Sequence, residues 1–521
     1  MSSTAIPTMA ESPGFGLNRR MITVSIMLAT IIQTLDSTIA NVALPHMQGS
    51  LSASQDQITW VLTSYIVAAA IATPLTGWMV DRFGQKNVFL MSIAGFTFAS
   101  ALCGISMSLT EIVAARLLQG VFGAALVPLS QAVLLDINPP EKRGSAMAVW
   151  GMGVMVGPIL GPTLGGWLTD SYDWRWVFFI NVPIGATAFY GVWRYIRKVP
   201  GERAMSFDAF GFVTLSLAIG ALQMLLDRGE QNDWFSSLET WIEAIVLAMS
   251  FIYFVIHTVF MPAEKSFFDY RLVKNRNYVS GLLFIFVVGM VLFAIRAMTP
   301  TMLQNLFQYT AATAGLVTAP SGIGTMISML LVGRLVGRVE LRLLLFSGFV
   351  ITALSLWMMS GYSLEIAKSD IVWPGVIQGI GMGLVFVPLS TATFATLSPS
   401  MRAQGTAIYS LIRNIGSSIG ISLVQTLLVR NTQIMHASLA EKITYANPAF
   451  NDPVVASVYN LGTLEGLATL NGEITRQAAM IAYVDDFWMM TILTVLVIPL
   501  LLLISPPKKG EASMTDHIAM D

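Results

Sequence analysis

One segment of the chain carries a glycine at every fourth position. Residues 153–167 read GVMVGPILGPTLGGW, and residues four apart share one face of a helix. In water such a helix would be weak, because an interior glycine costs about 1 kcal/mol and a proline about 3 kcal/mol. In a bilayer the backbone stays internally bonded and small residues let helices approach closely. The segment therefore predicts a closely packed, bent membrane helix whose marked residues are Gly153, Gly157, Pro158, Gly161, Pro162 and Gly165.

The composition of the whole chain agrees with a membrane protein. Of 521 residues, 55% are hydrophobic and 11% are charged, whereas soluble domains carry about 25% charged residues. The net charge of -1 argues against binding to nucleic acid. The single cysteine, Cys103, excludes a disulfide framework or a thiolate metal site. No nucleotide-binding loop, metal-ligand cluster or nucleophilic triad stands out, so we predict no enzyme, no catalytic residue, no metal and no cofactor.

Fourteen apolar runs are long enough, at about 20 residues, to cross a bilayer. The first follows a polar tail that ends in Arg19 and Arg20; it is too long for a signal-peptide core and contains Asp36, so we interpret it as an uncleaved span. The seventh run is the weakest. The runs lie near 21–43, 58–80, 88–107, 111–136, 145–168, 176–194, 209–226, 239–260, 278–299, 312–334, 341–360, 371–396, 405–428 and 484–505.

The positions of Lys and Arg predict the orientation of these spans. Loops on the side of the N-terminus hold twenty of the 29 Lys and Arg residues, and the opposite loops hold six. Cytoplasmic loops carry the excess of positive charge. We therefore predict that both termini are cytoplasmic and that the one long loop, 429–483, lies outside the cytoplasm.

An internal repeat divides the chain. QGVFGAALVPLS at 119–130 is echoed by QGIGMGLVFVPLS at 378–390, and INPPEKRGSA at 137–146 by LSPSMRAQGTA at 397–407. The loop segment GWMVDRFGQK at 77–86 is echoed weakly by GRLVGRVELR at 333–342. Repeated halves around a central site are typical of secondary transporters. We predict a tail at 1–20, a six-helix half at 21–200, two inserted helices at 201–265, a second half at 266–505 and a tail at 506–521.

These segments resemble the major facilitator superfamily, and within it the fourteen-helix drug:proton antiporters of the EmrB type. The resemblance rests on the 77–86 loop, on RLLQGVFGAA beginning at Arg116, and on the glycine stripe, which is similar to the helix-5 motif of antiporters. LDSTIANVALP at 35–45, WRWVFFINVPIG at 174–185 and LDRGEQNDWFSS at 226–237 resemble signatures of the same branch. The resemblance implies an all-α polytopic membrane protein with the major facilitator fold. The second-half loop motif is degraded, with Gly337 where an Asp is expected.

Asp36 and Arg116 are candidates for proton coupling. At 1.5 Å per residue both lie roughly 8–12 Å below the outer surface, and they can meet if helices 1 and 4 are neighbours, as the family fold implies. A charge at the centre of a span costs about 2.5–3.5 kcal/mol or more. Our hypothesis is that Asp36 carries the proton and that Arg116 modulates its protonation. The alternative is a permanent, ion-paired packing feature.

A second group of candidates lies at the cytoplasmic ends of helices 2, 4 and 13. Asp81 can meet the positive end of helix 13 near Gly405. Other charges can complete a cluster that stabilises the outward-facing state; the alternative is that they only fix topology. The predicted gating residues here are Gly77, Asp81, Arg82, Gly84, Lys86 and Asp136.

Further polar residues inside the spans are candidates for the substrate cavity. We expect Arg413 to face the cavity or a carboxylate, and Arg296 to reach the outer surface with its long side chain. The remaining candidates are Gln33, Thr34, Tyr65 and Gln131. In helix 13, Gly416 and Gly420 echo the stripe without its prolines, so we expect Pro158 and Pro162 to shape the interface between the halves.

The leading functional prediction is proton-driven export of structurally diverse amphipathic or toxic compounds across the bacterial inner membrane. The resemblance implies a periplasmic membrane-fusion adaptor and an outer-membrane channel as partners. One alternative is a dedicated exporter of one metabolite, such as a siderophore, fatty acid or antibiotic, with the same fold. A third is a membrane enzyme or receptor that has lost transport. Sodium remains an alternative to protons as the coupling ion.

Overall fold

A computed structural model describes residues 15–197, 207–261, 268–443 and 453–503. The tail before residue 15, the tail at 506–521 and the segment 444–452 lie outside the described residues. Those described form helices and no strand, apart from one isolated bridge between Val336 and Val339.

Thirteen helices of the described chain are long and apolar enough to span a membrane, and a fourteenth span is a pair of helices bent by 55° at Thr73–Pro74. The protein is therefore a multi-pass membrane protein, and each predicted run, including the seventh, lies mainly in helices in the part of the chain that the structure describes. The spans are α1 Phe15–Ser50, α2 Trp60–Ala72 with Leu75–Phe83, α3 Gln85–Ile105, α4 Leu109–Gly123 with Leu126–Ile137, α5 Arg143–Ser171, α6 Trp176–Phe179 with Asn181–Tyr195, α7 Ala209–Arg228, α8 Leu238–Phe260, α9 Arg276–Phe307, α10 Ala311–Leu335, α11 Leu341–Met359, α12 Lys368–Phe394, α13 Pro399–Ala440 and α14 Leu464–Val497.

The segment 429–483, expected as a long loop, is mostly helical. α13 continues to Ala440, well past the end of its apolar run, and α14 begins at Leu464, where the Thr463 hydroxyl accepts a bond from the Gly466 amide. Residues 429–440 contain neither glycine nor proline, so nothing in them stops the helix. The two helices therefore extend past their apolar segments as a hairpin, which we call the outer hairpin (429–440 and 464–483) after the side on which the sequence places this segment.

The packing of α1–α6 is repeated in α9–α14. Within the first set, α1 packs on α5 and α6, α2 on α4, and α3 on α4 and α6. The second set repeats every one of these pairs, with α9 on α13 and α14, α10 on α12, and α11 on α12 and α14. The repeat found in the sequence is thus a repeat of helix contacts.

The two halves meet unequally. α5 packs on α10 along its length, from Gly144 beside Val336 at one end to Thr163 beside Gly315 at the other. The corresponding pair, α2 and α13, is in contact through the Leu75–Phe83 part of α2, and the inserted helix α7 packs against both of them. α8 packs on α7.

The hydrophobic core shows which side is closed. We call the face where α1, α3 and α5 begin the basic face. Near it one apolar cluster joins both halves, and the Trp150 ring stacks on Phe386 at 5.7 Å between centroids. Near the opposite face the core divides into one cluster from the first half and one from the second. The structure is therefore closed at the basic face.

Candidate functional site

A fully buried ion pair lies inside the first half. The Asp36 carboxylate on α1 and the Arg116 guanidinium on α4 are 2.6 Å apart, and the two residues are 0% and 1% exposed. Both sequence candidates for proton coupling are therefore in direct contact. The pair lies among the first half's separate apolar cluster, which includes Leu35 and Phe178, toward the opposite face.

Three donors on two helices, α4 and α6, bind this carboxylate. Besides Arg116, the Gln119 amide donates to Asp36 at 2.9 Å and the Asn181 amide on α6 donates at 3.0 Å. Asn181 also donates to the Ser100 hydroxyl at 3.0 Å. Asn181 was not among our site candidates, although it lies in the WRWVFFINVPIG segment. The feature that could have identified it is a polar side chain within a predicted membrane span.

The guanidinium of Arg116 is held on its other sides. It donates to the Val61 carbonyl at 3.0 Å and to the Gln119 side chain at 2.8 Å. Its charge lies 4.3 Å from the centre of the Tyr65 ring and 5.6 Å from that of Phe178. Such cation–π contacts stabilise a desolvated cation by about 2 kcal/mol or more. Arg116 therefore keeps partners in its present position even when the Asp36 carboxylate is neutral.

The second half has no equivalent pair. Gly157 packs on the Thr34 backbone, and its repeat equivalent Gly416 packs on the Phe286 backbone, which sets the register of α9 against α1. In that register Val288 stands where α1 has Asp36. The repeat offset between Gln119 and Gln378 likewise places Gly375 where α4 has Arg116. The two halves therefore share the same helix packing, but the charged residues of the first half's pair are replaced by uncharged residues in the second.

The candidate cavity residues divide among different surroundings. Gln33 donates to the Tyr65 hydroxyl at 3.3 Å, next to the ion pair. The Thr34 hydroxyl instead bonds within α1 to the Thr30 carbonyl at 3.1 Å, and its backbone packs on Gly157. Gln131 is fully buried, and its side-chain oxygen has no hydrogen-bond partner in the described chain. Only Gln33 and Tyr65 therefore belong to the surroundings of Asp36.

Two arginines of the second half lie in the interior without a described carboxylate partner. Arg413 is 8% exposed; its guanidinium reaches only its neighbour Asn414, at 3.4 Å. Arg296 points across to α5, 3.3 Å from the Met155 sulfur. The expectation that Arg296 reaches the outer surface is wrong, because its side chain crosses to the other half.

At the basic face an ion pair connects the halves. Asp136 at the end of α4 accepts from Arg402 on α13 at 2.7 Å and from Gln85 at 3.3 Å. Arg143 lies within electrostatic range of both members of the pair. Arg402 is one of the twenty Lys and Arg residues that the sequence places on the side of the N-terminus, and it was not a site candidate because no local pattern indicates a partner 266 residues away.

The other gating candidates surround this pair without joining it in one cluster. Gly77 faces Gln404 so closely that a methyl carbon added to the glycine would lie 2.8 Å from the Gln404 Cβ atom, and α2 and α13 are therefore in contact there. Asp81 lies one turn later on the same side of α2. Gly84 adopts φ +80° in the tight turn to α3, which favours glycine. Lys86 donates to the Trp193 carbonyl at 2.6 Å, and Arg82 is exposed.

The glycine stripe packs inside the first half, against α1. Gly157 and Gly161 face Thr34 and Thr38, and the Thr38 hydroxyl donates to the Gly157 carbonyl at 3.0 Å. The remaining members, Gly153 and Gly165, face Met27 and Ile39. Pro162 and its neighbour Thr163 face the other way, toward Gly315 of α10 in the second half. The stripe therefore fixes the α1–α5 contact, while the proline side lies at the interface between halves.

Repeated six-helix halves with a buried charge pair define an all-α polytopic carrier fold. Solved structures with this fold include the proton:xylose symporter XylE, with a TM-score of 0.59 and 11% identity over 93% of this chain and 96% of that one. The human organic anion transporter MFSD10 gives a TM-score of 0.57 and 15% identity over 93% and 100%.

The sequence comparisons give the family. The model of the Major Facilitator Superfamily matches residues 26–421. The chain is 35% identical to the multidrug export protein EmrB of Escherichia coli K12, over 95% of this chain and 97% of that protein. It is also 35% identical to the fatty acid resistance protein FarB of Neisseria gonorrhoeae, over 93% and 96%. The chain belongs to the major facilitator superfamily, and its full-length relatives include EmrB-type exporters.

Proposed function

We propose that this protein is a proton-driven antiporter that exports structurally diverse amphipathic or toxic compounds across the bacterial inner membrane, with both termini in the cytoplasm. The observation that carries the proposal is the Asp36–Arg116 pair, because a buried carboxylate bound by three donors can exchange a proton for those contacts. The multidrug export proteins among its relatives support the substrate class.

The buried pair suggests how the proton couples to conformation. Breaking a buried ion pair by removing one charge costs about 3–5 kcal/mol. A proton arriving at Asp36 from the opposite face neutralises the carboxylate and weakens its bonds to Arg116, Gln119 and Asn181. These residues lie on α1, α4 and α6, so protonation alters the contacts among three helices. A substrate that binds better to one arrangement than to the other then exchanges for the proton.

The proposed gate is the contact at the basic face. Asp136 and Arg402 hold α4 and α13 together while the opposite side of the core is divided between the halves. Gly77 beside Gln404 continues that contact, and Asp81, Arg82, Gly84 and Lys86 support the α2–α3 turn. Opening toward the cytoplasm requires this ion pair to separate. In this proposal the glycine stripe holds α5 against α1, so that the two helices move together, and the proline side of α5 moves against α10 of the second half.

The central test is Asp36→Asn in an efflux-deficient host challenged with a panel of toxic compounds. We expect normal membrane levels of protein and loss of proton-driven efflux. Asp173→Asn, on the opposite face and half exposed, is the matched control and retains efflux. Purified wild-type protein should release protons on binding an active compound, as a membrane enzyme or receptor without transport would not. Full proton-driven efflux by Asp36→Asn contradicts the proposal.

A dedicated exporter of one metabolite is the second candidate, since the chain is as similar to FarB as to EmrB. The same panel, extended with long-chain fatty acids, separates the two. Resistance to several unrelated compounds supports multidrug export. Resistance to one class alone supports the dedicated exporter.

We further propose that the protein is the inner-membrane part of a tripartite system with a periplasmic adaptor and an outer-membrane channel. The outer hairpin supports this, because it extends two helices past their apolar segments and exposes Ile434 and Leu467. Cross-linking of an adaptor to the wild type should be lost when the hairpin is shortened equally in both arms. Cross-linking that survives the deletion assigns the adaptor to another surface.

A further inference from the structure

The second half contains a buried carboxylate to which no role has been given. Asp486 on α14 is 1% exposed, and neither of its carboxylate oxygens has a hydrogen-bond partner in the described chain. It lies on the face of α14 that carries Tyr483, Phe487 and Met490, all within the second half's separate apolar cluster. Asp486 is therefore surrounded by apolar side chains on the buried side of its helix.

Asp486 lies on the same side of the molecule as Asp36, although the two acids are not at equivalent positions of the repeat. Each acid lies in the apolar cluster of its own half, on the side away from the basic face. α14 is the repeat equivalent of α6, the helix that presents Asn181 to Asp36. The two halves thus each hold one buried acid in corresponding cores, one ion-paired and one not.

The ionisable groups around Asp486 offer it no cation. On its own helix the neighbours that act on it are Asp485, whose charge opposes a second negative charge, and Tyr483. Tyr362, between α11 and α12, packs on Phe487 at 5.7 Å between ring centres, and its buried hydroxyl also lacks a partner. The other ionisable side chains on the packed helices, none of them bonded to Asp486, are Arg276, Tyr278 and Arg296 on α9, Arg342 on α11, and Arg402, Tyr409, Arg413, Arg430 and His436 on α13.

Physical chemistry decides the form of this carboxyl group. An isolated carboxylate in an apolar interior is so costly that the group takes up a proton instead. Asp36 avoids that cost through Arg116, and Asp486 has no such partner. We propose that Asp486 is a second proton-binding site of the transporter, holding a proton in the closed-basic-face arrangement and releasing it when α14 is rearranged. This rests on the proposed proton antiport and adds a second coupled proton to it.

The first test reads the proton directly and needs no transport. Infrared difference spectra of the purified full-length protein in H₂O and D₂O detect protonated carboxyl groups. We expect Asp486→Asn to remove one such band at neutral pH, and the neighbour Asp485→Asn, which is exposed, to leave it. Asp486→Glu should restore a shifted band. If wild type and Asp486→Asn have identical carboxyl bands, or if Asp485→Asn removes the same band, the proposal is wrong.

The second test measures stoichiometry in proteoliposomes at zero membrane potential, with ethidium as the probe. Each coupled proton supports about a tenfold substrate gradient per unit of pH difference. With a pH difference of about one unit across the membrane, we expect the limiting ethidium gradient to fall about tenfold in Asp486→Asn and to be unchanged in Asp485→Asn. An unchanged gradient in Asp486→Asn overturns the second coupled proton. If Asp36→Asn transports normally, the proposed function fails instead, and the infrared result still decides the protonation of Asp486.

Discussion

Asp136 and Arg402, 266 residues apart in sequence, form an ion pair of 2.7 Å that crosses from the first six-helix half to the second. Arg402 is buried and Asp136 is half-buried. Hydrogen bonds to charged groups contribute about 1.5–3 kcal/mol when solvent is excluded. The pair is therefore strong enough to bias the arrangement that is closed at the basic face.

Neutralising this pair should open the basic face more often. In a background where Cys103 is replaced by Ser, a cysteine introduced as Gln404→Cys reports access to the α2–α13 contact. We expect Asp136→Asn to raise its rate of labelling by a soluble thiol reagent about tenfold, as a loss of about 1.5 kcal/mol requires. Arg338→Gln, an exposed charge on the same face, is the control. Equal labelling in both variants would show that the pair does not hold the face closed.

Removing Arg116 should destabilise the protein far more than removing an exposed arginine. Arg116→Ala leaves Asp36 buried and unpaired, which we expect to lower the free energy of unfolding by about 3–5 kcal/mol. Adding Asp36→Asn should recover part of this loss, because the uncompensated charge is gone. Arg175→Ala removes a partly exposed pair with Asp173 and should cost about 1 kcal/mol or less. Thermal unfolding in detergent measures all four proteins; similar losses for Arg116→Ala and Arg175→Ala contradict the prediction.

Any side chain at Gly157 should destabilise the protein. A methyl group there would overlap the Thr34 backbone, whereas one at Gly166 would meet only Val42, at 3.8 Å. We expect Gly157→Ala to cost about 1–3 kcal/mol through overpacking, and Gly166→Ala to be near neutral. Gly157→Leu should therefore impair folding as well as coupling, while Pro158→Ala, which removes bulk, tests coupling alone. Unfolding midpoints that match for the two alanine variants would argue against close α1–α5 packing.

Replacing Asn181 should weaken the surroundings of Asp36 without removing a charge. Asn181→Leu keeps the branched shape of the side chain and removes the donor to Asp36 and Ser100, so we expect a loss of about 1.5–3 kcal/mol in stability and reduced efflux. Asn87→Leu, at an exposed residue whose amide donates only to the Phe83 carbonyl four residues earlier, should leave both unchanged. Drug survival assays with quantified membrane protein provide the comparison. If cells with Asn181→Leu survive as well as cells with the wild type, the bonds from Arg116 and Gln119 are sufficient to keep Asp36 functional.

The sequence predicted the features that depend on position along a helix. The stripe spacing predicted a close helix contact, and the depths of Asp36 and Arg116 predicted that they could meet. Their partners could not be predicted so readily, because Asn181 and Arg402 are brought in by packing between distant segments. Asp486 was missed because an acid three residues into an apolar run resembles a boundary residue. Hydropathy located the bilayer part of α13 but not its end, since helix formation continues in water without apolar residues.

The inserted helix α7 is hydrogen-bonded to both halves at once. The Thr63 hydroxyl on α2 donates to Asp227 of α7, and the Ser418 hydroxyl on α13 donates to Gln223, one turn earlier, at 3.0 Å. A separation of α2 from α13 on the side facing away from the basic face stretches one of these two bonds until it breaks. Helix α7 therefore links α2 to α13 across one interface between the halves, and no inserted helix among the described residues links α5 to α10 in this way. Because only one of the two interfaces is linked in this way, we expect the two halves to separate less at the α2–α13 interface than at the α5–α10 interface.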